Sequence, residues 1–501
     1  MELVFQEQKQ EFLCRILCET VVQEQTADVV IPDSIPDADR VVDAYGTLLL
    51  RSEECGADSA QITGSVQVGA MVAEEGGTPY CVQTEIPFSV RRDFPQQEQD
   101  CYLQCRCTLK AVDARLLNSR KVLIRAGISC TVWVYSPRIR TQYDISEPAQ
   151  TLQLLRRKVP MKLPMGLAER SFAVNEELEL PEGKNPIGRM FKCLYRPKIT
   201  EQRMVGSKAV FKGELFVHAL YEDSEQKLCT WQWTVPFSQY ADMERELDEG
   251  DLQTFLTLTS AQTEPDSQFE SRRLLLSAGL LAQCMTVGIQ EVSLIEDAYC
   301  TDAELTPQWE ETEMNGLLDR QTFRETADFE AETEAESILD AWLYPDEPEK
   351  LRNGMQMELS VPMNCNLLYY DSKGELQGKT LRPTAKLTTE LAENAGCEIS
   401  ELTEGELYCS ANRRQMTLRV PLDITVDSMA QQKFKAVCGG QIEPYEKKTG
   451  RQPSVILRRT DGEDSVWEIA KQFHTPVDEI LSANALAEQT VPENTLLLIP
   501  V

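Results

Sequence analysis

Apolar and polar residues alternate at period two along most of this chain, which predicts half-buried strands. The clearest run is Ile62 to Val72. It returns as Phe211 to Tyr221, with Gly64 on Gly213 and Val66, Val68, Ala70 and Val72 on Leu215, Val217, Ala219 and Tyr221. The same offset carries Ile31-Pro32 onto Leu180-Pro181, Arg40-Val41 onto Arg189-Met190, and Ile86-Pro-Phe-Ser89 onto Val235-Pro-Phe-Ser238. Further on, Ser119 to Ile128 matches Ser271 to Leu280. A third, weaker copy sets Ile338-Leu-Asp-Ala-Trp342 on Val41-Val-Asp-Ala-Tyr45 and continues through Met363, Cys365, Leu367 and Tyr369. Its Pro-Phe step survives as Pro383-Thr384, and Arg414 to Leu422 echoes Arg120 to Ile128.

Turn signals such as Glu75 to Pro79 and Asp371 to Gly374 separate these runs as hairpin connections. The pattern predicts a mainly β protein: an antiparallel, sandwich-like β domain made three times, with a small C-terminal module. The expected divisions are an N-terminal helical segment (1–26), repeats at 27–150, 170–298 and 337–444, an acidic linker at 299–336, and the module at 452–501. The helix rests on Phe12, Leu13, Ile16, Leu17 and Val21, which fall at helix-like spacing. The linker rests on composition, above all Asp328 to Glu336. Duplication of a whole strand set suits a multivalent scaffold better than an enzyme.

The last fifty residues change period. Val455 to Leu457 predicts a short strand. Ser465 followed by Glu468 has capping-box spacing, and Val466, Ile469, Ala470 and Phe473 share one helix face. Thr475-Pro476 predicts a second helix with Thr475 as N-cap. That helix ends at Asn484 to Leu486, and Leu496 to Pro500 closes the module as a strand. The order is βααβ, with Trp467, Ile469 and Ile480 in its core.

Composition narrows the chemistry. The 501 residues carry 81 Asp+Glu against 50 Lys+Arg, a net charge of -31. That balance argues against nucleic acid and anionic membranes and leaves basic proteins, cations and neutral ligands open. Met1 to Gln10 lacks a basic start followed by an apolar core, so no secretory signal is expected and the cytosol is the expected compartment. No run reaches the roughly 18 apolar residues of a membrane span; Leu274 to Ile289 reads as a long strand or strand pair. The 16 Cys are then mostly reduced core residues. Cys101, Cys105 and Cys107 cluster but lack the second pair that a soft-metal site needs, and Cys14 and Cys18 lie one helical turn apart. There is no phosphate-binding glycine loop. His218 is expected on the polar face of its strand and His474 between the two module helices, both structural. Ser119-Arg-Lys121 and Ser271-Arg-Arg273 read as charge that protects strand edges. No catalytic set, metal or cofactor is expected.

Two resemblances follow from these residues. The run Gly462 to Ala470, the Asn484-x-Leu486 step and the terminal Leu-x-Ile-Pro resemble a LysM domain. That resemblance implies an N-acetylglucosamine-polymer or partner groove lined by Gly462, Glu463, Asp464, Ser465, Val466, Ala485, Leu486 and Ala487. Pro492-Glu493-Asn494 departs from the family's Pro-Gly before the last strand; Asn adopts the left-handed turn that Gly would supply. The repeats resemble SPOCS domains of spore-coat assembly proteins. Three such repeats followed by one LysM domain are similar to the SipL-type coat morphogenetic family and, in architecture, to SpoVID. The resemblance implies a non-enzymatic scaffold in the mother-cell cytosol at the forespore surface. Its LysM domain would recruit a SpoIVA-type basement-layer ATPase, with peptidoglycan at cortex or wall as the other implied ligand.

Overall fold

The computed structural model describes residues 2–74, 77–97, 100–145, 151–244, 250–412, 415–444, 454–461, 465–486, 491 and 495–500. A two-residue strand, β1 (Glu2–Leu3), precedes three similar strand sets. The first set is β2 (Gln6–Val30), β3 (Arg40–Cys55), β4 (Ser59–Ala73), β5 (Tyr80–Asp93), β6 (Tyr102–Asn118) and β7 (Lys121–Asp144). The second is β8 (Leu152–Glu179), β9 (Ile187–Val205), β10 (Lys208–Asp223), β11 (Leu228–Asp242), β12 (Asp251–Pro265) and β13 (Arg273–Cys300). The third is β14 (Ala303–Glu332), β15 (Ala335–Pro345), β16 (Glu349–Asn353), β17 (Gln356–Asp371), β18 (Leu376–Leu381), β19 (Thr384–Glu390), β20 (Gly396–Glu404), β21 (Tyr408–Asn412) and β22 (Gln415–Pro444).

Each set folds into two facing antiparallel sheets. In the first, the meander β3-β4-β5 packs on β2-β7-β6; in the second, β9-β10-β11 packs on β8-β13-β12. The third keeps this order with its outer strands broken: β17 is flanked by β15 and β16 on one side and by β18 and β19 on the other, and β22 by β14 and by β20 and β21. The chain is mainly β, as the alternation predicts. The Asp371 to Gly374 hairpin is present, with Gly374 at φ 76 and the Asp371 carboxylate accepting from Lys373 and Glu375 N–H. Glu75 and Gly76 of the other quoted turn lie outside the described residues.

Two predicted segments are corrected. Residues 6–30 form strand β2, paired along its length with β7. A register shift between Arg15 and Leu17 inserts one extra residue. Such a bulge swaps the face of everything beyond it, so Phe12, Leu13, Ile16 and Leu17 acquire a spacing that imitates a helix. Cys14 and Cys18 accordingly sit on a strand. Residues 303–332 of the expected acidic linker form β14, paired with β22 from Ala303 to Glu332. Its acidic residues mask a period-two pattern in which Phe323, Ala327 and Phe329 turn inward while Asp328, Glu330 and Glu332 are exposed. Each set therefore opens on a long strand upstream of the boundary expected from sequence, including β8 before residue 170.

The repeat motifs explain one another in space. The Gly64 and Pro-Phe-Ser motifs are one element: Gly64 stands opposite Phe88, and Gly213 opposite Phe237. A β-carbon on Gly64 would meet the Phe88 ring at 2.4 Å and the Leu49 carbonyl at 2.6 Å; on Gly213 it would meet Phe237 and the Lys198 carbonyl, both at 2.4 Å. The third set reverses the sizes, with Val361 opposite Ala385. This is why its Pro-Phe step looks lost. Gly64→Val is expected to cost about 1–3 kcal/mol through overpacking. Adding Phe88→Ala, which copies the third set, should restore part of the unfolding midpoint; no recovery would mean that ring and glycine do not share the space.

The Ser-Arg motif is also corrected. Arg120 donates to the carbonyls of Pro32 and Ile35, and Arg272 to those of Lys184 and Pro181. Ile31 N–H bonds to Arg120 O, and Leu180 N–H to Arg272 O. The arginines brace the Ile-Pro and Leu-Pro loops of their own repeats rather than guarding an edge.

The three sets pack around a common pseudo-threefold axis. Asp43 and Lys192 are 149 residues apart in sequence and 2.6 Å apart in space, and Lys192 also lies 2.6 Å from Asp340. These are the same position of the three copies, occupied by Asp, Lys and Asp. His218 completes the cluster with Nε2 at 2.6 Å from Asp340. It is 2 % exposed and buried between repeats, which corrects its expected place on a polar face. Burial opposes the charge on Lys192, but Asp340 and Asp43 outweigh it and hold the ammonium above its ordinary range. Burial likewise opposes the Asp340 charge, yet Lys192 and His218 hold that carboxyl well below the ordinary range. Three aspartates meeting on an axis would repel; the lysine of the middle copy removes that conflict. Phe12, Met161 and Met314, from the first strand of each set, meet in an apolar cluster.

Candidate functional site

The C-terminal module has the predicted βααβ order: β23 (Val455–Arg459), α1 (Val466–Phe473), α2 (Val477–Asn484) and β24 (Leu496–Pro500). Ser465 is the N-cap of α1, its hydroxyl accepting from the Glu468 N–H at 3.1 Å. His474 is its C-cap at φ 53, and the Nδ1 of its ring lies 3.2 Å from Cys300 O. The N-cap of α2 is Pro476, one residue later than expected. Thr475 is buried instead, its hydroxyl donating to Pro500 O at 2.6 Å. Proline cannot donate at the first turn, where no intrahelical partner exists in any case.

The end of α2 is tied to β24 by one side chain. The Asn484 amide donates to Ile480 O and Leu498 O and accepts from Leu498 N–H. This gives the Asn484-x-Leu486 step its physical meaning. Ala485 follows at φ 51, and Leu486 N–H returns to Leu481 O, closing the helix. Trp467, Ile469 and Ile480 are buried, as expected.

Of the eight groove residues expected from sequence, Gly462, Glu463, Asp464 and Ala487 lie outside the described residues, as do Pro492, Glu493 and Asn494. Ser465 is half-buried with its hydroxyl engaged as the cap, Ala485 is exposed, and Leu486 is half-buried against the module core. Val466 is 0 % exposed. It packs in the module core with Trp467, Ile469 and Ile480.

Sequence reasoning also missed where the module sits. It docks on the end of β13. Trp467 Nε1 donates to Asp297 at 2.9 Å, and Lys471 Nζ lies 2.7 Å from both oxygens of the same carboxylate. Tyr299 packs edge-on against Trp467 with centroids 4.9 Å apart, and its hydroxyl donates to Thr475 O. Burial, with Asp297 next, pushes the Tyr299 hydroxyl above its ordinary range, so it stays a donor. The buried Trp467 was legible as core; that Asp297 and Tyr299 would be its neighbours was not. Among the described residues no cluster of side chains is arranged to hold a metal, and no helix is long and apolar enough to cross a membrane.

These features define a β-repeat body with one docked LysM-type module. Residues 186–262 match the family model described as SipL, SPOCS domain, and residues 463–500 match that of the LysM domain. The SPOCS match begins beside the start of β9 and ends within β12; the LysM match takes in both helices and the closing strand. No curated protein and no solved structure matches the chain. The chain thus joins a SipL-type SPOCS domain to a C-terminal LysM domain.

Proposed function

We propose that this chain is a non-enzymatic scaffold of endospore coat assembly, working in the mother-cell cytosol at the forespore surface. The observation that carries this reading is the pairing of a SipL-type SPOCS domain and a LysM domain on one chain. The first and third strand sets repeat the strand order of the matched one, so we read them as SPOCS units too. Three units around one axis give a broad, rigid docking body. The LysM module would recruit a SpoIVA-type basement-layer protein through the surface that Ser465, Ala485 and Leu486 border. To test this, immobilised full chain is titrated with a SpoIVA-type basement protein. Binding is expected, and Ala485→Arg should weaken it at least ten-fold, since the exposed β-carbon admits bulk without a new backbone conformation. No binding at high micromolar partner would remove the recruiting role.

A second reading is peptidoglycan binding at cortex or wall, favoured by the LysM match itself. It expects the full chain to sediment with insoluble peptidoglycan. Retention in the supernatant, together with basement-protein binding, decides for the scaffold.

A further inference from the structure

A cavity of about 830 Å³ lies where the three repeats meet. Most of its wall comes in consecutive runs, 46–48, 106–109, 195–199, 254–258, 342–348 and 396–404, with Ser129, Thr131 and Trp133 of β7 facing it at alternate positions. These runs lie mainly on β3, β6, β9, β12, β15 and β20, equivalent strands of the three sets. Consecutive rather than alternate lining residues mean that the strands meet the cavity edge-on, because successive side chains of a strand point to opposite faces. Each of these strands pairs on one side only: β3 with β4, β6 with β7, β9 with β10, β12 with β13, β15 with β17 and β20 with β22.

Side chains of neighbouring repeats already stand in as partners for parts of these edges. Arg106 donates to Ile399 O and Ser400 O, Arg196 to Leu343 O, and the Tyr344 hydroxyl accepts from Gly46 N–H. Among the described residues, nothing hydrogen-bonds to the other edge of 195–199 or 254–258. Within the wall, Arg15 pairs with Glu398 and Arg196 with Glu404, both at 2.6 Å. Open main-chain edges are matched by another main chain.

We propose that this axial cavity binds a short extended peptide segment of a protein partner by strand addition. The proposal rests on the scaffold reading above and gives it a second docking site, apart from the LysM module. The volume is within the roughly 300–1,000 Å³ of ligand-sized pockets. The walls of the three repeats are not identical in sequence, so one segment binds in one orientation rather than three.

The test pans phage-displayed random heptapeptides on the immobilised full chain, then measures binding of the enriched peptides as synthetic segments. Thr108→Trp, which fills the cavity from a half-buried wall position, is expected to weaken binding at least ten-fold. The exposed substitution Thr326→Trp should leave it unchanged. Bound peptide should slow amide exchange in 195–199 and 254–258 of the unmodified chain, a readout that stands even if Thr108→Trp fails to fold. Absence of enrichment over the bare support, equal binding to the filled variant, or protection elsewhere would each overturn the proposal. Self-association of the chain that vanishes in Thr108→Trp would name a second copy as the occupant and overturn it too. Peptide binding without basement-protein binding counts against the LysM recruiting role alone; the reverse counts against the cavity alone.

Discussion

Replacing Lys192 with alanine is expected to lower the stability of the repeat body by about 3–5 kcal/mol, the usual cost of leaving a buried charge without its partner. Lys192 contacts both Asp43 and Asp340 at 2.6 Å, and its side chain is 2 % exposed. Without the ammonium, two carboxylates from different repeats face each other in an apolar surround. Asp340 keeps His218, but Asp43 keeps only its bond from Ala44 N–H and is pushed further up by burial. The prediction is checked by the midpoint of urea unfolding. A loss below about 1 kcal/mol would show that the cluster is relaxed or wet. The triple change Asp43→Leu, Lys192→Met, Asp340→Leu separates charge from shape. Well-packed apolar replacements of buried ion clusters are commonly neutral or better, so this variant should be more stable than Lys192→Ala. If it is equally unstable, the cluster acts through shape rather than charge.

Trp467→Ala is expected to unfold the LysM module at physiological temperature while sparing the strand sets. The indole is 6 % exposed, packs on Tyr299 and donates to Asp297. Truncation of such a side chain costs about 3–5 kcal/mol, comparable to the whole stability of a small domain. The helical far-UV signal should fall while the main β transition stays in place. Asp297→Ala then separates folding from docking. It removes the acceptor shared by Trp467 and Lys471 but leaves the internal packing of the module intact. Helicity should persist, and small-angle scattering should show a larger radius of gyration as the module leaves β13. An unchanged radius would mean that the Tyr299 contacts alone hold it.

Much of the candidate site was readable from residues. The Ser465 cap, the apolar face of α1 and the turn at Ala485 are local, set by neighbours within four positions, and their spacing survives in the sequence. Val466, expected beside the groove, is the first buried position of α1. The N-terminal strand was misread because a bulge at residues 15–17 breaks the alternation, and β14 because acidic composition concealed it. In both cases the partner that settles the matter, β7 or β22, lies more than eighty residues away.

What the sequence determined by itself is the repeat, the strand period, the βααβ order of the module and the SPOCS and LysM motifs. All are written in short-range spacing and in residues that recur at one offset. Only the tertiary structure decided how the copies meet. Asp43, Lys192 and Asp340 look like an unremarkable difference between aligned positions until the axis brings them within 2.6 Å. The axial cavity is likewise made by contacts between copies, and the docking of Trp467 and Lys471 on Asp297 by contact between the module and the second strand set. Burial and charge pairing depend on what comes close in space, and a period along the chain carries no record of that.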